Sequence, residues 1–246
     1  MGALAACHVH SKWSYDGSWL LEDLVSTFSR RGYRVLLMTE HDRGFSDVRL
    51  EKYRAACRQV STDRMLVVPG IEYSDAANCV HVLVWGPVPF LGENRATGDM
   101  LDAARRAGGA AVLAHPTRRK AWEHYDRAWT DKLVGIEVWN RKSDGWTTSA
   151  TAPALLQTGR LMPFVGLDFH TQRQSFPLAM ALDVEGPLTE ASVLECLHAR
   201  RCQPRAFGLP LESRWLRQSL PVLRTMEIGR RAAARWSRQL TGGARR

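Results

Sequence analysis

Short apolar runs alternate along this chain with segments whose apolar residues recur at helical spacing. Leu4–Val9 predicts a strand. Ser18–Arg31 sets Leu20, Leu21, Leu24, Val25 and Phe28 on one helical face. Arg30-Arg31-Gly32 closes that helix, with cations at the carbonyl end and glycine just beyond. Arg34–Thr39 is continuously apolar after its arginine, as a strand buried on both faces of a parallel sheet requires. Asp47–Val60 predicts a helix with Ser46 as N-cap. Met65–Val68 is a further strand, closed by Pro69-Gly70-Ile71-Glu72. The six residues Ser74–Cys79 then lead into the run Val80–Trp85. A parallel crossover needs about a dozen residues, so this connection is a hairpin that returns His81 to the rim carrying Glu72.

The alternation continues. Thr97–Ala107 is helical and Ala110–Ala114 a buried strand, followed by the strand Leu133–Trp139. Ser149–Thr158 is a helix in which Pro153 permits only a first-turn start or a kink. Met162–Leu167 and Leu178–Leu182 are strands, and Thr189 caps a helix over Thr189–Arg200. Strands alternating with helices predict an α/β domain with a mainly parallel sheet, better suited to a barrel than to an open sheet. Residues 1–211 form this domain and residues 212–246 a helical extension. In the extension Leu216, Leu220, Leu223, Met226, Ala233, Trp236 and Leu240 fall mostly three and four apart, and Pro221 interrupts or kinks the helix.

Composition changes this picture in two places. The net charge of +9 suggests nucleic acid, but nine arginines and two glutamates place +7 of it in residues 212–246. The remaining 211 residues are nearly neutral, which makes nucleic acid a poor partner for the main domain. The extension is expected to pack on the domain with its arginines outward; the alternative is an acidic partner, nucleic acid or a membrane surface. The five cysteines include no C-x-x-C pair, which argues against a disulfide framework or a Cys-rich zinc module. No apolar run reaches membrane-span length and residues 1–7 are too short for a signal peptide, so the expected location is cytoplasmic.

The chemistry lies at strand ends. In His8-Val9-His10 a strand puts both imidazoles on one face, whereas a helix points them about 200° apart. Six of the eight histidines (His8, His10, His41, His81, His115, His170) fall at predicted strand ends on one rim, together with Asp16, Glu72 and Asp168. Nitrogen and oxygen donors without thiolate suit zinc, manganese or iron. His124 and His198 lie outside this set.

The motifs H-V-H-S with Y-D-G, T-E-H-D, P-G-I-E, V-H-V-L, A-H-P and G-L-D-F-H occur in that order across roughly residues 6–170. In these the chain resembles the PHP (polymerase and histidinol phosphatase) family of metal-dependent phosphoesterases. Members usually carry Asp or Asn where Glu40 stands here. The resemblance implies a distorted seven-stranded α/β barrel and up to three divalent ions. One would be held by His8, His10, Glu72 and Asp168, a second by Glu72 as a bridge with His81 and His115, a third by Asp16, His41 and His170. It implies a phosphatase that hydrolyses a small phosphomonoester, of nucleotide or sugar phosphate type, by a metal-bridging hydroxide, with Asp168 or His170 relaying a proton. Alternatives are a phosphodiesterase or exonuclease, a protein phosphotyrosine phosphatase, and a non-catalytic metal-stabilised binding module. Arg forks suit phosphate, which puts forward Arg118 and Arg141, then Arg43 and Arg119. Trp13 and Trp139 flank the site as candidate stacking surfaces.

Overall fold

The computed structural model describes residues 2–149, 151–157 and 161–242, with the side chains of the last helix described through Trp236. Ala150 and Thr158 of the expected helix, and the Leu240 side chain, lie outside the described residues.

The first half follows the expected order: β1 (Ala3–Val9), α1 (Leu21–Ser29), β2 (Val35–Met38), β3 (Glu40–His41), α2 (Asp47–Val60), β4 (Leu66–Val68), β5 (Gly70–Ser74), β6 (His81–Trp85) and α3 (Thr97–Arg106). The second half is β7 (Ala110–Leu113), β8 (Gly135–Asn140), α4 (Ala152–Leu156), β9 (Met162–Gly166), β10 (Leu178–Leu182), α5 (Glu190–His198), β11 (Cys202–Ala206), β12 (Leu209–Pro210) and α6 (Arg214–Gly242). Short 3-10 turns over Arg118–His124 and Arg127–Lys132 fill the β7–β8 connection. Every residue of β2, β6, β7 and β8 is buried, as their unbroken runs predict. Ser46 caps α2 by accepting from the Arg49 N–H, and Thr189 caps α5 by accepting from that of Ser192.

Two sequence expectations change. In place of the expected distorted seven-stranded barrel, the strands are arranged as two six-stranded mixed sheets, β12-β11-β10-β1-β2-β4 and β3-β5-β6-β7-β8-β9. β9 meets β1 just beyond its end, where Leu167 N–H donates to Cys7 O at 2.9 Å and Phe169 N–H to His8 O at 3.0 Å. His8 (φ 58°) and Asp168 (φ 49°) bend the chain at this seam, and the β1–β2 register shifts between Cys7 and Val9. Nor is the sheet mainly parallel. Among the described residues, five strand pairings are parallel and five antiparallel. The β5–β6 hairpin, expected from its short connection, reverses the direction of β6 and forces β7 antiparallel to it. β10 then returns antiparallel beside β1.

The α1 helix starts three residues later than expected because Ser18 is drawn away. Its hydroxyl and N–H both donate to His170 O, at 2.5 and 3.2 Å. Pro221 does not end α6, which runs through it. That helix docks by Leu216, fully buried, with Leu220 and Leu223 against the core.

Candidate metal centre

Glu72, on β5, is the middle of the site and is 1% exposed. Its Oε1 lies 2.7 Å from His81 Nδ1 and 3.0 Å from His115 Nε2. Its Oε2 lies 3.4 Å from His8 Nε2, 3.3 Å from His10 Nε2 and 3.1 Å from His41 Nδ1. Hairpin pairing explains the approach of His81, since Ser74 faces it across the β5–β6 ladder. Asp168, where the chain bends after β9, sets Oδ1 3.8 Å from both His8 and His10 and Oδ2 3.9 Å from His115. Asp16 closes the far side, 3.4 Å from His41 and 3.2 Å from His170, whose Nε2 atoms are 3.4 Å apart. All nine sequence-derived candidate positions therefore gather in one cluster, of which Asp16, His41, Glu72, His81, His115 and Asp168 line a cavity.

Three donor groups have ligand atoms within 4.8 Å of one another: His8–His10–Asp168, His8–Glu72–His115 and His10–His41–His170. The first lies within the donor set that the resemblance assigns to one ion, and the second joins His8 of that set to Glu72 and His115, without the expected His81. In the third, His10 stands beside His41 and His170, with Asp16 at their edge. His8 Nε2, His10 Nε2 and Glu72 Oε2 are buried and have no hydrogen-bond partner. Buried polar atoms are ordinarily satisfied, so three unpaired donors facing each other fit a bound cation.

The carboxylate electrostatics agree, whereas an imidazole raised by its acidic neighbours must lose its proton before it can bind a cation. Burial favours a neutral Glu72, but the neighbouring imidazoles His8, His81 and His41 hold its carboxyl well below the usual range. Burial likewise works against the Asp168 anion, and His8, Lys142 and His115 bring it down to about 2. Burial opposes a charged His41, yet Glu72 and Asp16 raise it to about 10. Burial and the neighbouring His170 and His41 push His10 down. Carboxylates ionised at neutral pH are the state a divalent ion requires.

A second layer orients these side chains, and the motif reading missed it. Glu137 on β8 is fully buried and accepts from His8 Nδ1 at 2.9 Å, from the His115 N–H at 2.7 Å and from Asn140 Nδ2 at 2.8 Å. It has room because position 166 is glycine; a Cβ there would overlap its carboxylate. The available signal was a lone carboxylate inside the apolar run LVGIEVW, a position too costly for an unpartnered charge. Glu40, the departure from the family motif, accepts from the hydroxyls of Ser11 and Ser14 at 2.6 and 2.5 Å and from the Ser11 N–H at 3.0 Å. It thereby fixes the loop between His10 and Asp16, and Ser14 Oγ also lies 3.2 Å from His10 Nδ1.

The cavity above the cluster has a volume of about 360 Å³. Of the expected substrate contacts, Arg43 and Arg118 line it. Arg118 Nη1 is 3.1 Å from His81 Nε2 and Arg43 lies over the Tyr15 ring. The other candidates point elsewhere. Arg141 covers the Phe176 ring and donates to Arg173 O. Arg119 donates to Asn78 O from outside the cavity lining. Trp13 packs on Tyr53 beneath Arg49. Trp139 is fully buried, its indole N–H donating to Gly145 O, so no substrate ring can stack on it. The cation next to Arg141, Lys142, takes the place expected of it: its Nζ is 3.1 Å from Asp168 Oδ1 and 3.3 Å from His170.

No family model matches the sequence, and no curated protein matches it. Solved structures do match in shape. A two-domain protein from Bacteroides vulgatus containing a predicted PHP-like metal-dependent phosphoesterase aligns with TM-score 0.67 at 17% identity, over 89% of this chain and 69% of that one. PsfC from Pseudomonas syringae aligns with TM-score 0.58 at 16% identity, over 95% of this chain and all of that one. An amidohydrolase from Chromobacterium violaceum with bound sulfate aligns with TM-score 0.50 at 16% identity, over 68% and 87%. The fold of this chain is that of the PHP-like metal-dependent phosphoesterases its motifs resemble.

Proposed function

We propose that the chain is a metal-dependent hydrolase acting on a small phosphomonoester, with up to three divalent ions on its nine ligand residues. The convergence of those nine side chains around Glu72 carries the reading. His8, His10, Glu72 and Asp168 would hold one ion, Glu72, His81 and His115 a second, and Asp16, His41 and His170 a third. Bound divalent ions supply Lewis acidity and a coordinated water of lowered pKa. The chain's own groups do the rest. Arg118, Arg43 and Lys142 bring three cations to a cavity lined also by acids, imidazoles, Tyr15, Ser74 and two asparagines, where a phosphate dianion needs charge-assisted donors. Asp168 and His170, 3.3 Å apart, form a route for a proton toward the leaving oxygen. The cavity volume favours a compact phosphorylated metabolite over a nucleic acid strand or a folded phosphoprotein.

The test is a substrate screen on purified protein of known metal content. Phosphomonoesters, phosphodiesters and a phosphotyrosine peptide are offered with manganese, zinc or iron. Turnover confined to small monoesters, lost by orders of magnitude in Asp168→Ala and His115→Ala, is the expected result. Full metal loading with no turnover on any class would instead favour a binding module.

A further inference from the structure

Ligand cavities are ordinarily lined mostly by apolar side chains, with a few polar groups among them. The cavity above the cluster departs from that rule: among the described residues, no aliphatic side chain lines it. Arg43, Arg118 and Lys142 suit the phosphate. Besides the candidate ligands, that leaves Tyr15, Asp42, Ser74, Asn78, Glu93 and Asn94. Asp42 and Glu93 are carboxylates outside the nine ligand positions, and a phosphate dianion gains nothing from either.

Both acids are fixed by backbone. Asp42 follows His41 at the end of β3 and is 4% exposed. Its N–H donates to Glu72 O and its Oδ2 accepts from the Ser74 N–H, each at 3.1 Å. Glu93, in the β6–α3 connection, accepts from the Gly44 N–H through Oε1 at 2.7 Å. Each carboxylate therefore has one oxygen committed and a second to offer the cavity. Asn78, at φ 53° in the β5–β6 turn, sets its Oδ1 2.6 Å from His81 Nε2 and 3.3 Å from Arg118 Nη2, which leaves its amide N–H groups as donors.

These groups select a leaving group by its chemistry. An aliphatic or phenyl group would strip water from Asp42 and Glu93 and return no hydrogen bond. A second phosphate would be repelled by both carboxylates. A nucleobase needs a ring to stack on. Tyr15, the one ring here besides the imidazoles, already has the Arg43 guanidinium 5.3 Å and the His41 ring 5.2 Å from its centroid. An ammonium only donates and matches the acids alone, whereas a hydroxyl donates and accepts and so matches acids and amides together. A volume of about 360 Å³ stands near the small end of ligand sites, about 300–1,000 Å³. Resting on the phosphatase reading above, we infer that the substrate is the monophosphate of a polyhydroxylated compound of monosaccharide size, whose hydroxyls donate to Asp42 and Glu93 and accept from Asn78.

Metal-loaded protein is assayed with ribose 5-phosphate, glucose 6-phosphate and myo-inositol 1-phosphate, and beside them phenyl phosphate, phosphoethanolamine, AMP and fructose 1,6-bisphosphate. The best polyol monophosphate is expected to exceed every member of the second group in kcat/KM by about tenfold or more. Glu93→Ala is expected to cut its advantage over phenyl phosphate about tenfold, and Glu93→Gln, which keeps an acceptor oxygen, to restore most of it. Equal or faster turnover of any member of the second group overturns the inference and leaves the phosphatase reading standing. So does an advantage unchanged in Glu93→Ala, which would confine Glu93 to holding Gly44. If no phosphomonoester is turned over, the phosphatase reading fails and calorimetry decides the inference. Polyol monophosphates that bind about tenfold more tightly than inorganic phosphate, with the difference lost in Glu93→Ala, uphold it. Binding no tighter than that of inorganic phosphate overturns it.

Discussion

Glu137 shows how much of a ligand cluster is decided one residue away from it. One of its oxygens fixes the ring of His8 and the other the backbone beside His115, at 2.9 and 2.7 Å. Both contacts need an acceptor. In Glu137→Gln one acceptor becomes a donor, and either His8 or the His115 N–H loses its partner. Outer-shell carboxylates of this kind are worth about 10- to 100-fold in metal affinity. Glu137→Gln is therefore expected to weaken metal binding by that factor in a competing-chelator titration while the far-UV spectrum stays unchanged. Equal affinities would show that the ligand rings hold their own orientation. The two arginines put forward from sequence are separated the same way. Arg118 borders the cavity, whereas Arg141 is spent on Phe176 and the Arg173 carbonyl. Arg118→Ala is expected to raise KM for a phosphomonoester about tenfold or more, and Arg141→Ala to leave KM near wild type. Steady-state kinetics on the pair would reverse this assignment if Arg141→Ala gave the larger effect.

At the scale of elements, strands and ligand spacings were legible because both follow from short-range rules. Apolar runs marked β2, β6 and β7, and the length of Ser74–Cys79 alone implied the hairpin that carries His81 to Glu72. What was not legible depends on contacts between distant segments. β11 reads CQPRA, with no apolar run, and forms by pairing along its whole length with β10, while the Phe207-Gly208 turn, at φ 54° and 78°, suits the two-residue hairpin to β12. Arg141 and Lys142 are neighbours in sequence, and only the bend after β8 decides which enters the cavity. The docking of α6 is of the same kind. Its Glu227 carboxylate is 4% exposed, accepts from Arg230 and Arg231, and reaches the Trp146 N–H at 3.3 Å. It lies where a Cβ on Gly145 would overlap it, and Gly145 has φ 81°. Burial works against the Glu227 anion, but the two arginines hold its pKa down at about 2. A depressed carboxylate stabilises the fold fully above its ordinary value of 4.5, and the contribution is lost as pH falls from there through about 2. Glu227→Gln is thus expected to cost about 1–2 kcal/mol at pH 7. The difference in Tm from wild type is expected to shrink steadily between pH 4.5 and 2. A gap independent of pH would mean that the carboxylate contributes shape and not charge.

For the molecule as a whole, the ligand cluster also joins separate parts of the fold. His8 and His10 come from β1 and the loop after it, His41 from β3, Glu72 and His81 from the hairpin, His115 from the end of β7, Asp168 and His170 from the turn after β9. The two sheets meet at this place, and between Asp168 and β1 few ladder hydrogen bonds cross the seam. Without cations, Glu72 and Asp168 would face buried imidazole lone pairs unless those rings stay protonated, and charged imidazoles repel one another across the ring contacts of His10 with His41 and His170, 4.4 and 4.1 Å between centroids. A divalent ion removes that choice, binding neutral imidazole and carboxylate together. Since the set forms only in the folded chain, metal affinity adds directly to stability, about 2.7 kcal/mol when free metal is a hundred times its Kd. Stripping with a chelator is accordingly expected to lower Tm by several degrees, with hydrogen exchange rising first at the β1 and β9 ends and not in β6 and β7. His81→Ala, which removes one candidate ligand and leaves both sheets' ladders intact, is expected to reproduce part of that shift. A chelated protein that melts at the same temperature and exchanges evenly would show that the seam is held by packing alone, independent of the ions.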